Sequence, residues 1–265
     1  MANRIPGVSK SLLEEVRERG FIRIAVHWGV TSMQYLDPDT GEPAGFVALV
    51  GKLLARDLGV RAEFVGQDQL PWSDVLPALR DGRLDISVKH TNTPPRAFEV
   101  EFTVHSIICE EGRFVIRRDR GLRSEADLHQ PGRIIVVAKG SSQALQGREY
   151  PTPAEIRILP TWGDTFEAVV SGEADACLHD TGVPTFLLAH PECTVLTRED
   201  GQPAVAYVDC IHPCIRPGDP RFLNWLNNWI AFWKPGGTFE RLLKVADRDH
   251  QTKVERILAK AGKSR

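Results

Sequence analysis

The chain has 265 residues, 42% of them hydrophobic, with 33 Lys and Arg against 35 Asp and Glu and a formal net charge of -2. That length buries a substantial core in one large domain or two small ones. The charge balance excludes the basic surplus that nucleic-acid binding requires, so no nucleic-acid partner is expected, and no run of apolar residues is long enough for a membrane span.

The opening stretch, MANRIPGVSKSLLEEVRERG, lacks the apolar core of a secretory signal. A cytoplasmic protein and an exported one whose leader lies outside this chain both fit it. Phe21–Val26 reads as a strand and Asp37-Pro38-Asp39-Thr40-Gly41 as a turn. Phe46, Leu49, Val50, Leu53 and Leu54 make a helical stripe that stops near Gly59. Arg61–Val65 is the next strand, Ser73–Arg80 a short helix, and Leu84–Val88 a further strand. Strands alternating with helices of this length predict βαβ units around a parallel sheet.

The middle repeats this grammar. Arg133–Ala138 is a strand, Gly140-Ser141-Ser142 leads into a helix, Glu155–Leu159 is a strand, Thr165–Ser171 a helix and Ala174–Leu178 a strand. One echo ties the halves together: LPALRDGRLDISV and FEAVVSGEADACL each run an apolar helix into Gly, two residues, Asp and an apolar strand. Gly82 and Gly172 are 90 residues apart, as are Asp85 and Asp175. The echo reads either as the shared grammar of α/β proteins or as two lobes of similar build. After a polar stretch from Arg198 to Pro203, helices are predicted at Pro220–Trp233, Phe239–Val245 and Val254–Ala261. The cysteines, Cys109, Cys177, Cys193, Cys210 and Cys214, contain no CxxC and read as buried thiols; no metal or cofactor is expected.

An ordered set of segments resembles the bacterial extracellular solute-binding proteins of the polar amino-acid type. Gly20–Val26 matches the opening strand of that family, and Thr40-Gly41-Glu42 with Gly45-Phe46 its turn and helix start. Trp72–Leu79 with Gly82 and Asp85 matches its second helix, and Thr93-Pro94-Pro95-Arg96 its Thr-Pro-x-Arg. Gly140-Ser141-Ser142 matches its Gly-Thr-Thr turn, and Gly172 to Asp180 its Gly-x-x-Asp-Ala-x-x-x-Asp run. Val47 and Leu49 depart from the family's acidic residues after Gly-Phe. His27-Trp28-Gly29 stands where an acidic residue often follows the first strand.

The resemblance implies an α/β fold of two Rossmann-like lobes joined by a two-strand hinge, the type II periplasmic binding protein architecture. Residues 1–105 and 206–265 would form lobe 1 and 106–205 lobe 2, with the chain crossing near His105–Glu111 and near Thr197–Ala206. It further implies a monomeric periplasmic or extracellular receptor that delivers a small amino acid or related carboxylate to the membrane permease of an ABC-type importer.

Arg96 is the first candidate for binding, because a guanidinium fork matches a carboxylate. Asp180, after a strand's carboxyl end, resembles the family's ammonium-binding acid; its other reading is the N-cap of a helix starting near Thr181. Ser141 and Ser142 sit at a helix N-terminus suited to an anion or to plain capping. Thr91 offers a hydroxyl near Arg96, and Trp28 and Trp72 are candidate aromatic walls. His90, with His105 and His179, falls near the same segments, as ligand reader or hydrogen-bonded bystander. Closure is expected when a ligand bridges Arg96 and Thr91 on one lobe and Ser142 and Asp180 on the other. The alternatives are a prephenate- or arogenate-type dehydratase of the same fold and a ligand-sensing module. Against the dehydratase, Thr181-Gly182-Val183-Pro184 carries no Glu as proton donor after Asp180.

Overall fold

In the computed structural model, which describes residues 10–262 apart from Trp28, Val30, 67–68, 150–151, Thr181 and Glu199, the chain divides into two units. Residues 10–108 and 211–257 form the first, and 109–210 with 258–262 the second. The first unit opens with α1 (Leu12–Arg19), β1 (Phe21–Ala25), β2 (Tyr35–Leu36), β3 (Pro43–Ala44), α2 (Phe46–Leu58), β4 (Arg61–Val65), α3 (Val75–Arg80), β5 (Ser87–Thr91), α4 (Pro94–Ala97) and β6 (Glu101–Phe102). The long strand β7 (Ile108–Arg117) enters the second unit. There follow α5 (Glu125–Leu128), β8 (Ile134–Ala138), α6 (Ser142–Glu149), β9 (Glu155–Leu159), α7 (Trp162–Ser171), β10 (Ala176–His179), α8 (Val183–Ala189) and β11 (Cys193–Val195). A second long strand, β12 (Val205–Ile215), returns to the first unit, and α9 (Pro220–Trp233) and α10 (Thr238–Gly262) follow, the first unit ending within α10 at Ile257.

In the first unit β1 and β4 pair in parallel, Phe21 opposite Arg61 through Ala25 opposite Val65. The stripe of α2 covers them, with Phe46, Val50 and Leu54 fully buried. Gly51 sets the closeness of that packing, because a Cβ there would stand 2.8 Å from Ile24 Cδ1 and 2.9 Å from the Phe64 ring. Gly59, at φ 72°, ends the helix as the sequence predicts. This core is completed from beyond residue 211 by Phe222, Leu226, Trp229 and Ile230 of α9 and Phe239 of α10.

The second unit is a sheet in the order β12-β7-β10-β8-β9, with β11 also on β7. Its central strands β8 and β10 are buried on both faces, which explains their nearly continuous apolar sequences. Phe114, Ile116, Ile135, Val137, Ala176 and Leu178 enter one core, and the alternating Val115, Val136 and Cys177 enter the other.

The echo has a physical cause. Gly82 and Gly172 both adopt positive φ, 74° and 81°. The Asp that follows reaches back to the neighbouring strand. Asp85 accepts the Arg23 backbone N–H at 2.6 Å and the Arg23 guanidinium at 2.8 Å. Asp175 accepts the Ile134 N–H and the Arg133 guanidinium, each at 2.9 Å. Each Asp therefore locks a helix–strand turn to a neighbouring parallel strand, at the middle of β1 in the first unit and at the start of β8 in the second.

Four features differ from the sequence reading. The second crossing lies at Cys210–Ile211, beyond the expected Thr197–Ala206, because the polar stretch is only a turn at the base of β12. The strand expected at Leu84–Val88 runs from Ser87 to Thr91, since β12 pairs with residues 87–91 and not with the apolar residues before them. The last two predicted helices are one, α10; its central polar residues hold the β2–β3 hairpin, with Lys253 on Asp37 at 2.6 Å and on Asp249 at 2.8 Å. Cys109 and Cys210 are joined in a disulfide and are not free thiols, whereas Cys177, Cys193 and Cys214 are buried and reduced.

Candidate functional site

In the first unit, Thr91 closes β5, and Thr93 stands at the N-cap position of α4 in an extended conformation that the following proline favours. The helix carries Arg96, whose Nη1 donates to the Thr91 carbonyl at 3.1 Å. This bond ties the guanidinium to the carboxyl end of β5, and the planar fork carries five N–H donors in all. His90 lies beneath, 2% exposed, sharing a 2.7 Å hydrogen bond between Nδ1 and Ser87 Oγ. Its ring stacks on Trp72 at 4.3 Å between centroids, with planes 4° apart. His27 meets Trp72 edge-on at 5.7 Å. Burial holds the His90 pKa well below its ordinary value, and the nearby charges of Arg96 and Lys89 lower it further. His27 is lowered by burial and then by Lys89. In both rings the neutral form is thus favoured, within an aromatic cluster around Trp72.

In the second unit the residues stand at the carboxyl ends of β8, β9 and β10, where open α/β sheets place ligands. The Ser141 hydroxyl donates to Ala138 O at 2.7 Å and accepts the Ala144 N–H at 3.0 Å, so it caps α6. The Ser142 hydroxyl has one proton and two acceptors nearby. Asp209 Oδ2 at 2.6 Å outcompetes Gln143 Oε1 at 3.3 Å by both distance and charge.

Asp180 follows β10. It accepts from Gln143 Nε2 at 2.8 Å and from the Tyr207 hydroxyl at 3.5 Å. It does not cap the next helix: α8 starts at Val183, with Gly182 at the N-cap position and no side-chain cap. His179, 7% exposed, is set between Trp162 and Phe166 at 4.7 and 4.8 Å between ring centroids. Burial pushes the Tyr207 pKa up, and Asp180, Asp209 and Glu110 push it further, so the hydroxyl stays protonated as a donor. Gly112 on β7 makes room for the Tyr207 ring, which a Cβ at that position would overlap.

Arg96, Thr91, His90 and Trp72 are therefore brought together in the first unit, and Ser141, Ser142 and Asp180 in the second. Trp28 lies outside the described residues. His105 is exposed in the loop before β7, whereas His90 is buried. Sequence reasoning missed Gln143, Tyr207 and Asp209. Gln143 was legible only as a neighbour of the Gly-Ser-Ser turn, and the other two lie on β12, a strand the hydrophobic pattern does not reveal. Among the described residues, no three His, Cys, Asp or Glu side chains are grouped to hold a metal ion.

Two α/β units, one inserted into the other, with ligand-type side chains at the carboxyl ends of their strands, define a two-lobed binding protein of type II periplasmic architecture. The chain belongs to the bacterial extracellular solute-binding proteins, family 3, whose family model matches residues 22–245. Among curated relatives, a glutamine-binding protein of Geobacillus stearothermophilus is 23% identical over 172 residues, 64% of this chain and 65% of that protein. A probable amino-acid ABC transporter periplasmic-binding protein of Sinorhizobium fredii is 30% identical over 62% of this chain and 55% of that protein. The chain thus spans less than two thirds of either relative. An ancestral amino acid-binding protein, described as a precursor of cyclohexadienyl dehydratase, is 29% identical, covering 89% of this chain and 98% of its own, with a TM-score of 0.71. An arginine-bound substrate-binding protein of Streptococcus pneumoniae shares the fold at 18% identity and a TM-score of 0.73, over 89% of this chain and 98% of its own.

Proposed function

We propose that this chain is a substrate-binding receptor of an ABC importer, periplasmic or extracellular, that closes its two lobes on a small amino acid. The observation that carries this reading is the division of charge. The first unit offers the Arg96 guanidinium, oriented by Thr91, and the second the Asp180 carboxylate, oriented by Gln143 and Tyr207. An α-amino acid carries one carboxylate and one ammonium, so it satisfies both. The Ser142 hydroxyl is engaged with Asp209, so Ser142 would greet a carboxylate through its backbone N–H. Trp72, backed by His90, would cover the apolar part of the side chain.

The names of the relatives support an amino-acid ligand, and the Cys109–Cys210 disulfide supports an oxidising compartment outside the cytoplasm. The permease is the partner expected of such a receptor, and a monomer suffices for it. The dehydratase reading is the less favoured one, because the ancestral neighbour at 29% identity is itself described as a binding protein.

A thermal-shift screen with the proteinogenic amino acids, prephenate and arogenate tests the reading. At least one amino acid is expected to raise the melting temperature by mass action, and neither cyclohexadienyl acid to yield an aromatic product. Prephenate turnover, or the absence of a shift from every amino acid, overturns it. For whichever amino acid binds, Arg96→Ala is expected to weaken affinity by ~30- to 1,000-fold, the equivalent of ~2–4 kcal/mol for a charge-assisted pair.

A further inference from the structure

We infer that the Cys109–Cys210 disulfide is a staple across the neck of the second unit, and that it holds in place the strand segment on which Ser142 and Asp180 lean. Cys109 is the first residue of the second unit on the way in, and Cys210 is the last before the chain returns. The bond spans a sequence separation of 101 residues and turns the inserted unit into a closed covalent ring. β7 and β12, the two strands it joins, are already neighbours in the sheet. Their pairing alone leaves the neck dependent on hydrogen bonds near the end of a ladder, where local opening is easiest. A covalent bond at that point removes the open states.

The segment fixed in this way is not inert. Asp209, adjacent to Cys210 and 2% exposed, accepts the Ser142 hydroxyl at 2.6 Å. Tyr207, further along β12, reaches Asp180. The staple is therefore a positioning device for the second unit's ligand-type residues, and not only a brace for stability.

The bond can be opened selectively. Cys109 is exposed, and the three remaining cysteines are buried and free. A water-soluble phosphine reduces the disulfide with one water, giving two thiols and the phosphine oxide. The neck role stands apart from the choice of ligand, since its test uses the unliganded full chain. Peptide mapping without reduction is expected to find Cys109 linked to Cys210. On phosphine treatment, amide hydrogen exchange in residues 107–113 and 205–213 is expected to rise roughly tenfold or more, while the interiors of β8 and β9 stay within about twofold. Cys109→Ser/Cys210→Ser is expected to match the reduced protein and to ignore the phosphine. Unchanged exchange at the neck overturns the inference. So does an equal rise through β8 and β9, which marks a general stabiliser, and so do free thiols at both positions in the native protein. If the double variant does not fold, the phosphine arm on the unmodified chain still decides.

Discussion

Replacing Asp85 with Ala tests whether the repeated helix–strand lock supports the first unit. The carboxylate is 1% exposed and accepts the Arg23 backbone N–H at 2.6 Å, the Arg23 guanidinium at 2.8 Å and the Arg19 guanidinium. Truncation leaves the Arg23 N–H without its acceptor and two guanidinium groups without their counter-ion. Removing one partner of a buried pair costs ~3–5 kcal/mol. Here Arg19 and Arg23 are 24% and 27% exposed, so water takes up part of the loss, and the expected cost falls below that range, at about 2–3 kcal/mol. For a protein of this size that lowers the melting temperature by roughly 5–10 °C. Asp175 is the weaker copy: its side chain is 10% exposed, and beside the Ile134 N–H it is paired with one guanidinium, that of Arg133, 34% exposed, where Asp85 has two. Asp175→Ala is therefore expected to cost about half as much, and Asp85→Asn, which keeps an acceptor for the Arg23 N–H, to fall between wild type and Asp85→Ala. Melts followed by far-ultraviolet circular dichroism provide the comparison. If Asp85→Ala melts within 1 °C of wild type, or Asp175→Ala costs more, the lock is not what holds the turn.

Stability between pH 7 and pH 5 is expected to fall as acid is added. His27 and His90 have folded pKa values below the unfolded value of 6.5, so the unfolded chain binds their protons first, and stability present above that value is lost below it. His90→Phe, which keeps a ring against Trp72, is expected to flatten that slope; an unchanged melting-temperature profile against pH would falsify the assignment. Gly112→Ala is expected to destabilise by ~1–3 kcal/mol through overlap with the Tyr207 ring, and Tyr207→Leu in the same chain to recover most of the loss in a denaturant titration. Burial raises the pKa values of Cys177, Cys193 and Cys214, so none should react with a thiol reagent at pH 8 in the native protein, and all three should react in denaturant.

Short-range chemistry was the readable part of this sequence. β4 and β9 fall where expected because apolar strands bracketed by turn residues decide themselves locally. Arg96, Thr91 and His90 could be grouped because they lie within seven residues of one another. β7 and β12 were not assigned: ICEEGRFVIR and VAYVDCIHPCI have no clean alternation, and their pairing is set by partners far away in the chain. That one omission hid the disulfide, Tyr207 and Asp209 together. The gap expected in α10 came from its polar centre, where His250 is 5% exposed and Asp249 receives the Tyr35 hydroxyl. Periodicity reads such residues as solvent-facing, whereas here Tyr35 of a hairpin more than 200 positions earlier packs on the His250 ring and bonds Asp249.

The insertion of one unit into the other also sets an order of assembly. Residues 109–210 are contiguous, and their sheet is complete once Cys210 has been made. β5 is in a different position. Its partner residues on β12, Ile211 to Cys214, follow more than a hundred residues later, as do the apolar faces of α9 and α10. A nascent chain therefore carries an unpaired strand edge and an open core while the middle is built. Such edges invite pairing with other chains. Folding of the middle segment first brings the two ends of the gap close together and shortens the effective loop that β5 and β12 must close. The slow step in refolding is then expected to be the completion of the first unit, after the inserted one is already in place.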